Sequence, residues 1–348
     1  MMSQINSQIL SLPFHFQPQK VGEVWRVKYH KVATDAQTWS KEHKIAAASA
    51  DEKQICLLLI DVQNTFCIPD FELFVGGKSG NGAVEDNIRL CEFIYRNLRN
   101  ITTIIPTMDT HTAMQIFHPI FWVNQKGEHP IPSATNITSE DIEKGIWKVN
   151  PEVAYSITNG DRELLEKQTY SYVKKLSENG KYPLTVWSYH SMLGGIGHSL
   201  VSSIEEAIFF HSIARYSQTQ FEIKGDNPLT ENYSVLSPEV LSGFDNQLIA
   251  KKNTRLIKQL LEFDAVIIAG QAKSHCVAWT IEDLLSEIKQ IDIKLAEKIY
   301  LLEDCTSPVV ISNVVDYTEV ANNTFTKFAD AGMHLVKSTQ QISDWIQL

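Results

Sequence analysis

Cys276 stands where a buried apolar run gives way to a helix, and this position favours nucleophilic chemistry. The run Ala265–Gly270 (AVIIAG) predicts a strand, a short turn follows, and Cys276 opens an amphipathic segment. Unpaired backbone N–H groups and the positive end of the helix dipole favour a thiolate at such a position. The same N–H groups can hold an oxyanion when a carbonyl carbon becomes tetrahedral. A buried structural cysteine is the competing interpretation.

Two further polar side chains lie at predicted strand ends and can serve such a thiol. Asp61 closes the run Ile55–Asp61, and Lys224 closes the shorter run Phe221–Lys224. A nucleophilic thiol needs a base and is helped by a nearby cation. Alone, Asp61 is more typical of a helix cap or turn residue, and Lys224 is more typical of a solvated surface lysine. What favours a function is their agreement: the ends of three predicted strands would bring the side chains of Asp61, Lys224 and Cys276 to one point.

A second set of side chains has the types that bind a divalent metal. Asp109 and His111 form an Asp-x-His pair after the predicted strand Thr102–Met108, and His190 follows the short apolar run Leu184–Trp187. Carboxylate oxygen and imidazole nitrogen are common ligands of such ions. The Asp-x-His pair alone is a weak signal. It becomes a metal site only if the fold brings His190 to it.

The elements that must position these residues alternate between strand and helix from about residue 55 onward. The other predicted strands are Ile299–Leu302 and His334–Val336. Helical spacing of apolar residues predicts helices at Asn87–Asn100, Thr254–Phe263, Val277–Ile288 and Val320–Ala331. This alternation predicts an α/β fold with a parallel sheet and helices on both faces. In such sheets the active site lies beyond the carboxyl ends of the strands.

Two regions interrupt the alternation and define the predicted domain organisation. Residues 1–50 are mixed and polar, and we expect an N-terminal extension that packs on the core or reaches a neighbouring subunit. Residues 51–348 form the predicted catalytic domain. Within it, residues 124–183 are rich in Pro, Asn, Ser and charge, with helical pieces at Ser139–Trp147 and Asp161–Leu176. We interpret them as a surface insertion that caps the site.

Composition excludes several classes of protein. The 348 residues carry 31 Lys and Arg against 41 Asp and Glu, a net charge of −10, without the basic cluster that nucleic-acid binding needs. No apolar run approaches the roughly 20 residues of a membrane helix. The N-terminal segment lacks the basic and apolar regions of a signal peptide. Five irregularly spaced cysteines without a CxxC pair indicate reduced thiols, so we expect a cytoplasmic protein.

Taken in order, these motifs resemble those of the isochorismatase-like cysteine hydrolases and, within them, the nicotinamidases. The matching segments are LLLIDVQNTF, IIPTMDTH, VWSYH, FEIKGDNPLTENYS and AGQAKSHCV, which run from about Ile55 to Ser338 around the 124–183 insertion. The resemblance implies a parallel six-stranded sheet flanked by helices, in a Rossmann-like three-layer architecture. It also implies the release of ammonia from a small carboxamide, with nicotinamide as the leading substrate, by an enzyme that we expect to be a homo-oligomer.

The resemblance further implies roles for individual residues. It implies an Asp61–Lys224–Cys276 triad in which Cys276 forms a thioester with the substrate. It implies a cis peptide between Gln271 and Ala272, and an oxyanion hole made by the N–H groups of Ala272 and Cys276.

The metal and substrate contacts are implied in the same way. The implied ligands of a divalent ion (Zn, Mn or Fe) are Asp109, His111 and His190, with His118 as a candidate fourth. We also expect Phe66 and Trp187 to be walls around the substrate ring, although a buried aromatic residue is more often part of the core.

Departures from the family pattern leave alternatives open. Thr65 replaces an acidic residue, Ser188 a proline and Ser191 a cysteine, and Lys273 and His275 are unusual neighbours for the nucleophile. A hydrolase of another amide, carbamoyl or vinyl-ether substrate therefore remains open. A catalytically silent scaffold of the same fold is the alternative from a different class, although an intact triad argues against it. A papain-like Cys–His protease is weaker still, because no histidine offers the cysteine a better partner.

Overall fold

The computed structural model describes residues 9–178 and 182–346 of the chain. Its α-helices within these residues are α1 (Tyr29–Glu42), α2 (Asn64–Cys67), α3 (Gly82–Arg96), α4 (Ser139–Glu143), α5 (Ala154–Ile157), α6 (Arg162–Glu178), α7 (Ser202–Arg215), α8 (Thr254–Glu262), α9 (Cys276–Ile291) and α10 (Thr318–Asp330). Its strands are β1 (Ile55–Ile60), β2 (Thr103–Asp109), β3 (Trp122–Val123), β4 (Asn136–Ile137), β5 (Lys148–Val149), β6 (Leu184–Thr185), β7 (Glu222–Lys224), β8 (Ala265–Gly270), β9 (Ile299–Leu302), β10 (Val310–Ile311), β11 (Val315–Asp316) and β12 (His334–Val336). Short 3-10 helices lie at Pro18–Lys20, Ala48–Ala50, Pro119–Phe121, Pro151–Val153, Ile293–Lys298 and Ile342–Asp344.

The main sheet has six strands in the order β12-β9-β8-β1-β2-β7, and it is parallel and flanked by helices. This confirms the predicted fold class. Every residue of β1 and β8 is buried. Since helices cover both faces of a parallel sheet, its central strands are continuous apolar runs, and this is why they stand out in the sequence.

All six strands of this sheet were predicted, with ends that agree within one residue. β8, β9 and β12 have the predicted bounds. β1 ends at Ile60, because Asp61 has a φ of +46° and leaves the extended conformation. β2 begins one residue late, at Thr103, and continues through Asp109.

The helices agree less closely with the predictions. α3 begins at Gly82, five residues before the predicted start, because Ala83 and Val84 add a buried apolar turn. α4 ends at Glu143, since Gly145 has a φ of +66° that a helix does not accommodate. The sequence pattern does not predict α1 or α7. α7 packs against both α1 and α3, so its buried residues are not confined to one stripe.

The chain divides into two compact units. The described residues of the first unit lie in 9–108, 200–222 and 255–346. It contains the central strands of the main sheet and a core that includes residues of the extension. The buried residues contributed by the extension include Leu10, Phe16, Val21, Val27 and Val32. Residues 9–50 therefore pack on the core of this unit, one of the two arrangements expected for them.

The described residues of the second unit lie in 109–178, 182–199 and 223–254. It has its own apolar core, whose largest members include Phe117, Phe121, Trp122 and Tyr172. Two small antiparallel pairs, β3 with β5 and β4 with β6, lie within it. The described residues of the 124–183 insertion belong to this unit, and the action of the insertion as a cap stays a prediction.

The structure also bears on the remaining compositional expectations. All five cysteines are buried thiols. Among the residues that the structure describes, no helix combines the length and apolar character needed to cross a bilayer.

The contact between β1 and β8 gives a test of the fold. Gly270 has a φ of +118°, and a Cβ built on it would lie 2.0 Å from the carbonyl oxygen of Ile60. Because that oxygen belongs to the backbone of the neighbouring strand, Gly270→Ala must push β1 and β8 apart. We expect the free energy of unfolding in urea to fall by more than ~3 kcal/mol.

Gly80→Ala is the matched control for this substitution. Gly80 also has a positive φ, of +79°, but no heavy atom lies within 4 Å of its built Cβ. The control should lose only ~1–2 kcal/mol, the cost of a left-handed backbone. Equal losses for the two variants would show that the close approach of the strands is not the cause.

Candidate functional site

Asp61 is fully buried directly after β1, and a threonine on the next strand fixes its carboxylate. The Thr107 hydroxyl donates to Asp61 Oδ1 and accepts the backbone N–H of Asp61 at 3.0 Å. The positive φ of Asp61 is one that aspartate adopts more readily than most residues. Thr107 was not predicted as a site residue. Its only signal is a hydroxyl inside an otherwise apolar strand.

The turn between β8 and α9 places Cys276 as the first residue of a 16-residue helix. The peptide between Gln271 and Ala272 is cis, as the resemblance implied. The Gln271 N–H donates to the Ile60 carbonyl at 2.8 Å. Since β1 and β8 are neighbours in register, Asp61 and the turn that leads to Cys276 start at adjacent strand ends.

The Gln271 side chain ties this turn to α3. Its Nε2 donates to Asp86 Oδ2 at 2.8 Å, and its Oε1 accepts the Ser307 N–H at 3.3 Å. Asp86 also accepts from Arg89 at 2.7 Å, while its burial raises the pKa of its carboxyl. These supporting residues have no recognisable sequence signal, because they lie far from the turn along the chain.

The two unusual neighbours of the cysteine bind to other groups in the first unit. Lys273 Nζ donates to Asn322 Oδ1 at 2.8 Å and lies 4.5 Å from the centre of the Phe325 ring. His275 packs edge-on against Tyr317 and its Nδ1 lies 2.8 Å from the Ser274 hydroxyl. Burial lowers the pKa of His275 to about 3, so its imidazole is neutral. Both side chains support the packing around the turn.

In the second unit, the structure brings together the three predicted metal ligands. Asp109, His111 and His190 are all buried, and one ligand atom of each lies within 4.8 Å of the others. His111 Nε2 lies 2.7 Å and His190 Nε2 lies 3.4 Å from the same carboxylate oxygen, Asp109 Oδ2. Three residues separated by up to 81 positions in sequence thus form one cluster.

Backbone carbonyls fix the tautomers of both histidines. His111 Nδ1 lies 3.0 Å from the Gly225 oxygen, and His190 Nδ1 lies 2.7 Å from the Ser188 oxygen. Because a carbonyl only accepts, each Nδ1 carries the proton of that hydrogen bond. Each Nε2 then faces Asp109, an arrangement typical of metal-binding histidines. The residues present therefore fit a divalent metal ion.

Gly225 contributes through its missing side chain as well as its carbonyl. A Cβ at this position would lie 2.7 Å from His111 Cε1 and 3.1 Å from Asp109 Oδ1. Gln115 Nε2 donates to the Gly225 oxygen at 2.6 Å. Gly225 thus leaves room for the two predicted ligands and orients one of them, a role that the Lys-Gly motif alone does not reveal.

Lys224 makes an ion pair that was not expected from the sequence. Its Nζ donates to Asp109 Oδ1 at 2.7 Å and to the Asn232 carbonyl at 2.8 Å. Asp109 therefore offers one oxygen to the lysine and the other to the histidines. Burial alone would raise the pKa of Asp109, but the charges of His111 and Lys224 hold that pKa well below its ordinary value. Burial likewise works to lower the pKa of His111, yet the Asp109 carboxylate raises it above its ordinary value.

His118 lies beside the cluster with one ring nitrogen unused. Its ring centre is 5.9 Å from that of His111 and 5.8 Å from that of His190. Its Nδ1 lies 3.1 Å from the Ala113 oxygen, and its buried Nε2 has no hydrogen-bond partner among the described residues. Burial, followed by the charges of the other two histidines, lowers the pKa of His118 to about 3. It stays a candidate fourth ligand.

The remaining predicted residues are distributed between the units. Phe66 is half-buried against the core of the first unit. Trp187 is half-buried in the second unit, where its Nε1 donates to the Tyr233 hydroxyl at 3.1 Å. Of the implied triad, Asp61 and Cys276 belong to the first unit and Lys224 to the second. The triad, the oxyanion hole and the two aromatic walls stay predictions.

The chain is similar in structure to several solved hydrolases, although the likeness is distant. The yeast nicotinamidase Pnc1p has 18% sequence identity and a TM-score of 0.48, covering 81% of this chain and 99% of that one. The Acinetobacter baumanii nicotinamidase pyrazinamidease has 16% identity and a TM-score of 0.46, covering 83% and 98%. An isochorismatase-like hydrolase from Alkaliphilus metalliredigens has 12% identity and a TM-score of 0.41, covering 84% and 99%. No protein-family model and no curated protein sequence matches the chain.

The cluster of Asp109, His111 and His190 predicts a defined pattern of metal binding. Separate samples of the purified protein are loaded with Zn²⁺, Mn²⁺ or Fe²⁺ and then dialysed to remove excess ion. At least one of the three ions should remain bound at about one per chain, as measured by elemental analysis. His111→Ala and His190→Ala should each lower the affinity by at least ~100-fold, because each removes an oriented ligand. His118→Ala should lower it by about 10-fold if its unused nitrogen is a ligand.

His30→Ala is the control for these variants, since His30 is an exposed histidine of the first unit. It should leave the bound metal unchanged. A wild-type protein that retains none of the three ions would show that the cluster is not a metal site.

Proposed function

We propose that the chain is an isochorismatase-like cysteine hydrolase that releases ammonia from a small carboxamide with the assistance of a metal. The observation that carries the proposal is the placement of Cys276 at the start of α9, after the strand that neighbours the one leading to Asp61. A helix start favours a thiolate, and a carboxylate at the adjacent strand end is a suitable base. A cytoplasmic location and a homo-oligomeric state stay predictions from the sequence.

In the proposed first half-reaction, Cys276 attacks the amide carbon. Asp61, oriented by Thr107, takes the thiol proton, and Lys224 stabilises the charged pair. The N–H groups of Ala272 and Cys276 hold the oxyanion of the tetrahedral intermediate. One such donor typically lowers the barrier by ~3–4 kcal/mol. The Gln271 contacts with Ile60 and Asp86 keep the turn that carries these donors in place.

The second half of the reaction returns the enzyme to its starting state. Asp61 gives its proton to the departing nitrogen, the C–N bond breaks and ammonia leaves. The acyl group then remains on Cys276 as a thioester. Asp61 next takes a proton from water, whose oxygen attacks the thioester, and the proton returns to the sulfur. The net change is one amide and one water converted to one acid and one ammonia.

The metal cluster is the reason to favour nicotinamide among small amides. Asp109, His111 and His190 would hold a divalent ion. When bound, such an ion would anchor the ring nitrogen of a pyridine carboxamide as a Lewis acid. The chain's own contribution is to orient the two imidazoles through backbone carbonyls and to hold Asp109 ionised beside Lys224. Phe66 and Trp187 would flank the substrate ring.

Replacement of the nucleophile is the first test of this proposal. Cys276→Ala should reduce ammonia release from nicotinamide, supplied with Zn²⁺, Mn²⁺ or Fe²⁺, by at least about 10,000-fold, because no other group can form the thioester. Its unfolding midpoint in urea should stay near that of the wild type. Cys305→Ala, which removes another buried thiol of the same unit, should retain turnover.

Each outcome of this experiment has a distinct meaning. An active Cys276→Ala protein would rule out the mechanism. If the wild type releases ammonia from another amide, but not from nicotinamide, the thiol chemistry stands and the substrate is wrong. If no amide, carbamoyl compound or vinyl ether in a broad panel is turned over, the catalytically silent scaffold becomes the better interpretation.

The proposed role of Lys224 can be tested separately from its ion pair with Asp109. Lys224→Met should lower kcat by about 100-fold, since it removes the cation that stabilises the charged pair. It should also slow the alkylation of Cys276 by iodoacetamide at neutral pH, followed by mass spectrometry, because less thiolate is present.

Lys251→Met is the control, because Lys251 is an exposed lysine of the same unit. It should change neither rate. An unchanged alkylation rate in Lys224→Met, together with weaker metal binding, would assign Lys224 to the metal cluster alone and remove it from the triad.

A further inference from the structure

A cavity of about 370 Å³ lies where the N-terminal extension packs against α7 in the first unit. Its walls are formed by residues between 14 and 32 of the extension and by the first two turns of α7. The volume falls within the ~300–1,000 Å³ range of small-molecule sites. None of its lining residues has a part in the proposed hydrolysis.

The walls of this cavity are anchored to the core. The backbone N–H of Trp25 donates to Ser202 Oγ at 2.9 Å, and the Ser202 hydroxyl donates to the backbone carbonyl of Trp25 at 2.8 Å. Phe16 and Val32, which also line the cavity, are buried in the core of the first unit. The extension is therefore held in place, and its contacts with the core and with α7 give the cavity its shape.

The cavity concentrates positive charge in an acidic protein. Four cations line it, Lys20, Arg26, Lys28 and Lys31, against two carboxylates, while the whole chain has a net charge of −10. Lys31 pairs with Asp35 at 2.7 Å. Within the described residues, the other three cations form no ion pair with a carboxylate. The start of α7 also lies at this wall and adds the partial positive charge of a helix N-terminus. This arrangement attracts an anion.

Aromatic and acidic side chains indicate what else the ligand carries. Phe14 is 79% exposed at the cavity, and Trp25 is half-buried there, so both can stack on a planar ring. The two carboxylates, Glu23 and Glu206, can accept hydrogen bonds from hydroxyl groups. We propose that the cavity is a binding site for a small phosphorylated molecule with a planar ring and a sugar, of the nucleoside monophosphate class.

The proposal can be tested by calorimetric titration of the full-length protein with AMP, adenosine and inorganic phosphate. AMP should bind once per chain, with adenosine and phosphate each at least 10-fold weaker, because each lacks one half of the ligand. The double variant Arg26→Ala/Lys28→Ala should weaken AMP binding by at least 10-fold. Raising the salt concentration should weaken AMP binding in the wild type more than in this variant.

Lys41→Ala supplies the control, since Lys41 is exposed near the end of α1 and does not line the cavity. It should bind AMP as the wild type does. Three results would overturn the proposal: no saturable binding of AMP, AMP binding that the double variant leaves unchanged, or phosphate that binds as tightly as AMP. Because Arg26 and Lys28 are exposed, the double variant should keep the wild-type unfolding midpoint in urea.

Discussion

The close pairing of β1 with β8 is the constraint on which the first unit depends. Both strands are buried along their whole length, and the Ile60 carbonyl accepts the N–H of Gln271 just beyond Gly270. The absence of a side chain at Gly270 permits this approach. As a consequence, the chain leaves both strands at the same level, once at Asp61 and once at the turn before α9. The sheet itself therefore fixes where the Asp61 carboxylate lies, at a strand end, and where the Cys276 thiol lies, at a helix start. The hydrogen bonds of Thr107 and Gln271 only refine these positions.

Electrostatic balance around one buried carboxylate organises the second unit in a comparable way. An isolated buried charge is costly, so Asp109 needs partners on both oxygens. Lys224 supplies a full positive charge to one oxygen and the imidazoles of His111 and His190 face the other. The carbonyls behind the imidazoles add no charge but determine which nitrogen points inward. The cluster therefore combines a fixed geometry with three groups of the types that bind a divalent cation.

The sequence predicts the main sheet well because its strands are apolar on both faces, and a short continuous apolar run between polar turns is typical of a buried strand. It predicts the Asp-His-His cluster only in part. The types of the candidate ligands are visible in the sequence, but the ion pair of Asp109 with Lys224 joins residues 115 positions apart, and such a contact is set by tertiary structure.

The sequence does not predict α7, for a different reason. This helix is covered on several sides, and it buries polar residues such as His211 and Arg215, so no apolar stripe remains. The cavity beside it is equally invisible in the sequence, because its lysines are typical of any surface.

The side chains next to Cys276 have a consequence for evolution within this fold. Lys273 contacts Asn322 and Phe325 on α10, and His275 packs on Tyr317 just before that helix. Substitutions at Lys273 should therefore covary among related chains with Asn322 and Phe325, and substitutions at His275 should covary with Tyr317. Differences at these positions between related chains would then reflect changes in how α10 packs against the turn before Cys276. Divergence at these two positions is consequently a poor guide to a change of function, even though both lie within three residues of Cys276.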